Sequence, residues 1–354
     1  MSVSQRDIAL ELNLSVATVS KSLRNSPEIP PTTRAQVIDT ASKLGYRPSP
    51  NRQQNMAQKN AANPRSVQVG FLVQSDESAD SPNVYSSSMV LAGISEAAQA
   101  SDASLSVYYV PLADRDRLDD SACQPVAMRE GLLSGLILYN YYPSHIVRSL
   151  SACLPCVHVL HRTPGLNVDC VELDSEMAIG QLMSHLHQLG HRRIGYLGGW
   201  SDQSHAQARF AAYVQSLVRL GLPFDPSISL DLLDTFGADE QPDHVTEKRV
   251  IELTQQGVTA WVTTNAHLAL QWHTCLTQAG LRVPEDVSLC GIHGQPNALS
   301  VPDMTSVDLP YAELGRAAMD LVLRRIKCPT APVQRVGYQG IFIEGKTVTK
   351  PRDI

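Results

Sequence analysis

The residues whose types and spacing most clearly suggest chemistry form the segment LSVATVSKSLRN, near the start of the chain. At helical spacing, Val19 and Leu23 share one face, whereas Ala17, Lys21 and Arg24 share the opposite face. Small residues at the start of such a helix could approach base edges in a DNA major groove, and the basic residues could reach guanines or phosphates. An ordinary amphipathic helix shows the same pattern, so the segment alone leaves both interpretations open.

A pair of cysteines has the spacing of a redox motif. Cys153 and Cys156 are separated by two residues, but Pro155 leads directly into an apolar strand. A reactive cysteine pair normally opens a helix, whose start lowers the pKa of the thiol. The sequence therefore predicts that Cys156 is a buried core residue.

Three histidines, His185, His187 and His191, are close enough in sequence to suggest a metal site. Positions i and i+2 do not share a helix face, and no second Cys/His pair has zinc spacing. We expect no metal here.

The chain also lacks a GxSxG motif, a phosphate-binding loop and a dinucleotide fingerprint. We therefore expect that the protein binds no cofactor and is not an enzyme.

The composition is that of a globular protein of two or three domains, with 354 residues of which 43% are hydrophobic. No secretory signal and no apolar run of membrane-spanning length is present, and the seven cysteines are scattered. These features predict a cytoplasmic protein.

The net charge of −6 is unevenly distributed, since residues 1–60 carry eight Lys/Arg against four Asp/Glu. A basic segment ahead of an acidic body is typical of a nucleic-acid binder with a separate regulatory part.

The sequence predicts three short helices in the first 45 residues. Ile8, Ala9 and Leu12 share a face of the first, and Ser15 is a suitable N-cap for the second. Gly45 ends the third, which buries the apolar positions Val37, Ile38, Ala41 and Leu44.

Residues 47–65 are polar and proline-containing, which indicates a linker. Beyond it, short apolar runs such as VQVGFLV, GLILYN and VSLCGI alternate with stretches of helical period. This alternation predicts an α/β fold with two doubly wound parallel sheets, whose ligands bind at the carboxyl ends of the strands. The helical stretches cover residues 84–100, 145–153, 176–190, 204–221, 243–257, 267–280 and 310–326.

The N-terminal residues resemble the DNA-binding headpiece of the LacI/GalR family of bacterial transcription regulators. The likeness lies in RDIALELNLSVATVSKSLRN and in PTTRAQVIDTASKLGYRP. It continues in HLHQLGHRRIGYLGG, GLRVPEDVSLCGI and LGRAAMDLVLRRI, which are similar to the family's ligand-binding core. The resemblance implies a helix-turn-helix headpiece, a periplasmic-binding-protein-like core, and a homodimer that binds a near-palindromic DNA operator.

The resemblance also implies roles for individual residues. Val16 and Ala17 would read bases mainly by apolar contact, with Lys21 as a further groove contact, because a Val-Ala pair offers no bidentate hydrogen bond. Thr18, Ser20 and Thr33 would bind phosphates. Such contacts fix the position of the headpiece on the duplex but do not distinguish one base sequence from another. The full set of expected DNA-binding residues is Ser15, Val16, Ala17, Thr18, Ser20, Lys21, Asn25, Thr33, Tyr46, Asn55 and Met56.

The hinge departs from the family pattern. Family members push a leucine from this segment into the minor groove, where such wedges kink the duplex. Here Asn55 occupies that position, and Met56 could replace the wedge only if the register slips by one residue. Bending of the operator is therefore in question.

The expected effector pocket departs as well. Sugar-binding members keep an aspartate after the residue matching Asn265, where this chain has Ala266, and aspartates where it has His293 and Gly294. Two arginines remain, so an anionic, sugar-derived effector fits the interdomain cleft better than a neutral sugar. The expected effector-binding residues are Tyr85, Asn140, Arg162, Asp174, Arg209, Asn265 and His293.

The overall expectation is a repressor whose operator affinity is modulated by a small-molecule effector. Alternatives are a regulator with a degenerate pocket, controlled by a protein partner or by nothing, and a solute-binding receptor. The expected domains are the headpiece (1–46), the hinge (47–65) and a core (66–354), with an N-subdomain (66–161 and 293–323) and a C-subdomain (163–291 and 327–345). The chain would cross between the subdomains near 162, 292 and 324.

Overall fold

The structure is a computed structural model, in which the predicted linker at 47–65 lies outside the described residues. The described residues are 4–23, 28–30, 33–34, 36–37, 40–41, 44, 67–75, 82–198, 204–230, 244–293 and 303–352. Among them, no helix is both long enough and apolar enough to cross a bilayer.

The N-terminal segment forms helices α1 (Gln5–Glu11) and α2 (Val16–Ser22). Asn13 turns the chain between them with φ 51°, a left-handed conformation that asparagine tolerates better than most residues. The described positions between 33 and 41 are also helical. This confirms the predicted faces, because a small core unites apolar residues of all three segments: Ile8, Ala9, Val19, Val37 and Ala41.

The core alternates strands and helices, as predicted. The helices are α3 (Pro82–Ala100), α4 (Leu112–Arg115), α5 (Val126–Arg129), α6 (Ser144–Cys153), α7 (Ser175–Leu189), α8 (Ser204–Arg219), α9 (His244–Gln255), α10 (Ala266–Gln278) and α11 (Tyr311–Lys327). The strands are β1 (Gln68–Ser75), β2 (Ser104–Pro111), β3 (Gly135–Tyr139), β4 (Cys156–Val159), β5 (Asp169–Leu173), β6 (Ile194–Leu197), β7 (Ser229–Leu230), β8 (Ala260–Thr263), β9 (Ser288–His293), β10 (Thr305–Asp308), β11 (Arg335–Tyr338) and β12 (Ile341–Ile343).

Two sheets of six strands organise the core. The first has the order β11-β5-β4-β3-β1-β2 and the second the order β12-β10-β9-β8-β6-β7. Neighbouring strands from β1 to β5 pair in parallel, as do those from β6 to β10, whereas β12 is antiparallel to β10. Strands β3, β4, β6 and β8 are buried throughout, as expected for parallel strands covered on both faces.

The chain divides into two compact units and passes between them three times. The first unit contains residues up to Glu172 and 311–336, and the second contains 173–310 and 337–354. The crossings expected near 162, 292 and 324 are therefore placed too early. The correction arises because β5 and the edge strand β11 belong to the first sheet, whereas β10 belongs to the second.

Helices α3 and α11 of the first unit cross at two glycines. A Cβ added to Gly93 would lie 1.9 Å from the Ala312 carbonyl oxygen, and one added to Gly315 would lie 2.1 Å from the Val90 carbonyl oxygen. Any side chain at either position would force the backbones apart, so glycine is required for this packing.

Candidate DNA-reading helix and sheet-edge residues

Helix α2 begins at a complete N-cap. Ser15 Oγ accepts a hydrogen bond from the Thr18 backbone N–H at 3.0 Å and lies 2.8 Å from Thr18 Oγ1. Such a cap satisfies a backbone donor of the first turn, as predicted for Ser15. The Thr18 hydroxyl, an expected phosphate anchor, is therefore engaged within the helix start.

The first turn of α2 presents small apolar side chains to solvent. Val16 is 45% exposed and Ala17 is exposed, whereas Val19, three residues after Val16, is fully buried. Ser20 is half-buried. Since exposing a valine has no benefit for folding, this surface fits apolar contact with a partner such as a thymine methyl group.

Lys21 lies one turn further along α2 and forms an ion pair with Glu28. The hydrogen bond from Lys21 and its positive charge hold the pKa of the Glu28 carboxyl below its usual value. Both side chains are substantially exposed, so the pair contributes little stability and can exchange partners. A DNA phosphate or guanine would compete with Glu28 for this ammonium group.

The remaining expected DNA contacts divide into two groups. Thr33 is half-buried in the third helical segment. Asn25, Tyr46, Asn55 and Met56 lie outside the described residues.

In the second unit, Arg209 reaches the carboxyl edge of the sheet from α8. It is 5% exposed, and its Nη1 donates to the Thr264 carbonyl oxygen at 2.7 Å. Thr264 directly follows β8, and its hydroxyl donates to Tyr196 Oη at 3.1 Å. Burial raises the pKa of Tyr196 to about 12, so this hydroxyl stays protonated.

Two other expected effector residues lie at the same edge. Asn265 is exposed and caps α10, with Oδ1 accepting from the Leu268 N–H at 2.9 Å. His293 ends β9, which pairs with β8, but its side chain lies outside the described residues. The pairing of β8 with β9 brings Asn265 and His293 to one edge of the second sheet, and the hydrogen bond to Thr264 places Arg209 at the same edge.

Asp174 has a structural explanation of its own. Its Oδ1 accepts from the Met177 N–H at 3.0 Å, which makes it the N-cap of α7. Capping with a carboxylate at a helix start is favourable in itself, so the residue requires no ligand to explain it.

In the first unit, Asn140 and Arg162 follow the paired strands β3 and β4. Both are half-buried, and Asn140 adopts φ 63° while its N–H donates to the Val159 carbonyl oxygen at 3.1 Å. They therefore share the carboxyl edge of the first sheet. Tyr85 lies in α3, with its side chain outside the described residues.

Sequence reasoning missed two buried histidines at this edge. His158 of β4 and His161, just after it, are 1% and 2% exposed, and their ring centroids are 5.2 Å apart in an edge-to-face arrangement. Thr163 Oγ1 lies 3.3 Å from His158 Nδ1, and the Tyr141 ring packs 5.2 Å from that of His161. A histidine in the middle of the apolar run CVHVL was the available signal.

Both histidines are held neutral. Burial, followed by the neighbouring His161, lowers the pKa of His158 to about 3. Burial, followed by the charge of Arg162, lowers the pKa of His161 to about 4. At physiological pH this part of the edge therefore offers uncharged imidazoles beside the Arg162 guanidinium.

The remaining sequence features occupy structural positions. Cys156 is buried at the start of β4, as predicted, and burial raises the pKa of its thiol to about 12, the opposite of a reactive cysteine. His191 bridges Thr259 Oγ1 and the Thr349 carbonyl oxygen, each at 2.8 Å. No group of three or more candidate metal ligands occurs among the described residues.

Two family models match this chain. Residues 5–49 match the model of bacterial regulatory proteins of the lacI family, and residues 183–348 match a periplasmic binding protein-like domain. The first match covers the headpiece and the second covers much of the core. The chain is a DNA-binding transcriptional regulator, and the resemblance drawn from the sequence is confirmed.

The similarity to two curated transcription regulators extends over nearly the whole length of this regulator. HTH-type transcriptional regulator GalR of Salmonella typhimurium is 27% identical over 356 residues, which cover 98% of this chain and 96% of GalR. Catabolite control protein A of Priestia megaterium is 24% identical over 330 residues, which cover 92% of each chain.

A solved structure shares the fold. The lac repressor dimer bound to operator and the anti-inducer ONPF matches with a TM-score of 0.64 and 20% identity, covering 99% of this chain and all of that chain. The α/β fold with an N-terminal helix-turn-helix region is thereby confirmed.

Proposed function

We propose that this regulator is a cytoplasmic, homodimeric repressor whose affinity for a near-palindromic operator is modulated by a small-molecule effector. The DNA-reading part of the proposal depends on α2, because its capped first turn exposes Val16 and Ala17 while Val19 anchors the helix in the headpiece core. Lys21 follows one turn later on the same helix and would contact the groove or a phosphate.

The operator can be found by selecting duplexes that the purified chain binds from a random pool, and affinity can then be measured by fluorescence anisotropy. Ala17→Asp places a carboxylate against the bases and should reduce affinity for the selected site to that for unrelated DNA. Leu10→Asp is the matched control, since Leu10 is exposed on α1 and the substitution adds the same charge. Equal losses for both variants would show that charge repulsion, not base reading by α2, causes the effect.

The effector part of the proposal is that the ligand is anionic and sugar-derived. It is supported by Arg209, a nearly fully buried guanidinium oriented by the Thr264 carbonyl at the carboxyl edge of the second sheet. Arg162 provides a second guanidinium at the carboxyl edge of the first sheet. Arginine recognises phosphate and carboxylate groups through charge-assisted, often bidentate hydrogen bonds.

A thermal-shift screen of the full chain against phosphorylated sugars, sugar acids and neutral sugars tests this proposal. A compound that binds only the native state at a hundredfold excess over its Kd adds about 2.7 kcal/mol of stability. Arg209→Ala should remove the shift, whereas Arg219→Ala, an exposed arginine on the same helix, should retain it. A shift by neutral sugars alone would refute the anionic assignment, and no shift across the panel would favour the degenerate pocket.

A further inference from the structure

The ion pair between Lys21 and Glu28 lies on the side of the headpiece that α2 would turn towards DNA. Lys21 follows Ala17 by four residues, so the two side chains share a face of α2, whereas Val19 is fully buried in the headpiece core. The Glu28 carboxylate accepts a hydrogen bond from the Lys21 ammonium group. This bond brings a carboxylate beside the face that carries Ala17 and Lys21.

Folding gains little from this contact. The Lys21 and Glu28 side chains are 45% and 63% exposed, and exposed ion pairs contribute about 0–1 kcal/mol to stability. A carboxylate on a DNA-reading surface also weakens binding to any duplex, because it repels the phosphates. Proteins use such unfavourable charges to select one partner among many, which fits a role for Glu28 in choosing between DNA sequences.

The pair presents a hydrogen-bond donor and an acceptor side by side. The hydrogen bond from Lys21 and its positive charge lower the pKa of Glu28, so the carboxylate is ionised at physiological pH. An ionised carboxylate only accepts hydrogen bonds, and an ammonium group has three N–H donors. Lys21 can therefore donate to a base while it remains bonded to Glu28.

A G·C base pair carries the complementary pattern in the major groove. Guanine presents the acceptors N7 and O6, and cytosine presents its N4 amino group as a donor. Guanine O6 and cytosine N4 are hydrogen-bonded to each other, so they lie about 2.9 Å apart, and the donor and acceptor of an ion pair in contact have a similar spacing. Lys21 can thus donate to guanine while Glu28 accepts from cytosine.

An A·T base pair also places a donor beside an acceptor, because adenine N6 lies next to thymine O4. It suits the ion pair less well, since guanine offers the ammonium group two neighbouring acceptors, whereas thymine O4 is flanked by a methyl group. That methyl group matches the exposed apolar side chains of Val16 and Ala17 instead. Apolar residues and the ion pair of the headpiece would therefore read different base pairs.

We infer that Lys21 and Glu28 act together as a specificity determinant that selects a G·C base pair in each operator half-site. Lys21 donates to guanine and Glu28 accepts from the cytosine amino group. At other base pairs the negative charge of Glu28 lacks this donor and only weakens binding. The inference rests on the proposed base reading by α2 and adds Glu28 to the residues that take part in it.

Binding by the full chain to duplexes with single base-pair changes tests the inference. Duplexes are first selected from a random pool, and the base pair at which Lys21→Ala loses its preference is identified. Fluorescence anisotropy then compares the four duplexes that differ only at that position. The parent chain should bind the G·C duplex at least about fivefold more tightly than the A·T and T·A duplexes, as expected for a specific base contact.

Glu28→Ala should remove this preference at the same base pair. The four affinities should then lie within about twofold of each other, while binding to DNA in general becomes tighter because a negative charge is lost. Glu11→Ala is the matched control, since it removes the same side chain from an exposed position on α1. It should leave the preference for the G·C duplex unchanged.

Three results would overturn the inference. They are an equal change in affinity for all four duplexes in Glu28→Ala, loss of preference at different base pairs in Glu28→Ala and Lys21→Ala, and a parent chain that prefers A·T at this position. Ala17→Asp distinguishes this failure from failure of the proposed function. If Ala17→Asp binds the selected site as the parent does, α2 does not read bases and both are refuted. If Ala17→Asp abolishes specific binding, an equal change in Glu28→Ala refutes only the role of Glu28.

Discussion

The two neutral histidines at the edge of the first sheet should make the protein sensitive to acid. In the unfolded chain a histidine binds a proton near pH 6.5, whereas in the folded protein the pKa values of His158 and His161 are about 3 and about 4. Between these limits the unfolded state binds more protons, so lowering the pH destabilises the fold. The stability is fully present above the unfolded pKa and falls as the pH decreases from there towards the folded values.

The size of the effect follows from the same pKa values. At pH 5, each histidine should contribute a loss of roughly 2 kcal/mol relative to pH 7.5, or about 4 kcal/mol for the two together. That is a large fraction of the net stability of an ordinary domain. His158→Gln removes one of the two titrating groups and should therefore remove about half of this loss.

Urea unfolding followed by circular dichroism at several pH values between 7.5 and 5 measures the change. Burial also lowers the pKa values of His191 and His273, but both remain in the variant and cancel in the comparison. His145→Gln, an exposed position on α6, is the matched control and should keep the parent pH dependence. If His158→Gln kept the full acid sensitivity of the parent, burial of neutral imidazoles could not be its cause.

Two further predictions concern ion pairs. Glu28→Gln frees Lys21 from its exposed partner, so operator affinity measured by anisotropy should rise severalfold, while the free energy of unfolding changes by less than about 1 kcal/mol. Asp169→Asn breaks a buried pair in which Arg325 Nε and Nη2 lie 2.8 and 2.9 Å from the carboxylate, and thermal or urea unfolding should show a loss of about 3–5 kcal/mol.

Each of these predictions has a matched control and a contrary outcome. Glu11→Gln removes an equal charge from α1, and an equal gain in operator affinity would assign the effect to net charge. Asp320→Asn removes an exposed carboxylate from α11, and an equal loss of stability there would contradict the special role of the buried pair.

Long periodic segments were the most predictable part of the fold. The helical patterns at 176–190 and 310–326 correspond to α7 and α11 within a residue or two at each end, because their apolar stripes face a sheet over four or more turns. The headpiece was predictable for a related reason, since Ser15 caps α2 and the apolar positions of three segments share one core.

The missed strands are short or lie at sheet edges. β10 reads TSVD, which is polar in sequence although all four residues are buried, and β11 and β12 are half-exposed edge strands. Such strands are specified by pairing with distant residues, which local periodicity cannot reveal. The expected crossings were misplaced for this reason.

The candidate sites show the same limit. The resemblance assigned Arg209 and Asn265 to the effector pocket. The sequence could not distinguish a cap from a ligand contact at Asp174, because that distinction requires the position of the Met177 N–H. It also could not show that the rings of His158 and His161 pack edge-to-face, because this contact depends on the path of the chain after β4.

The three crossings between the two units constrain how this protein can be divided. A fragment that ends at residue 172 would contain most strands of the first sheet but would lack α11, which packs on α3, and the edge strand β11. A fragment that begins at 173 would carry α11 and β11 without the rest of the first unit. No single cut in the gene therefore releases an intact unit, so exchange of either unit between relatives by recombination must replace two or more separate segments at once.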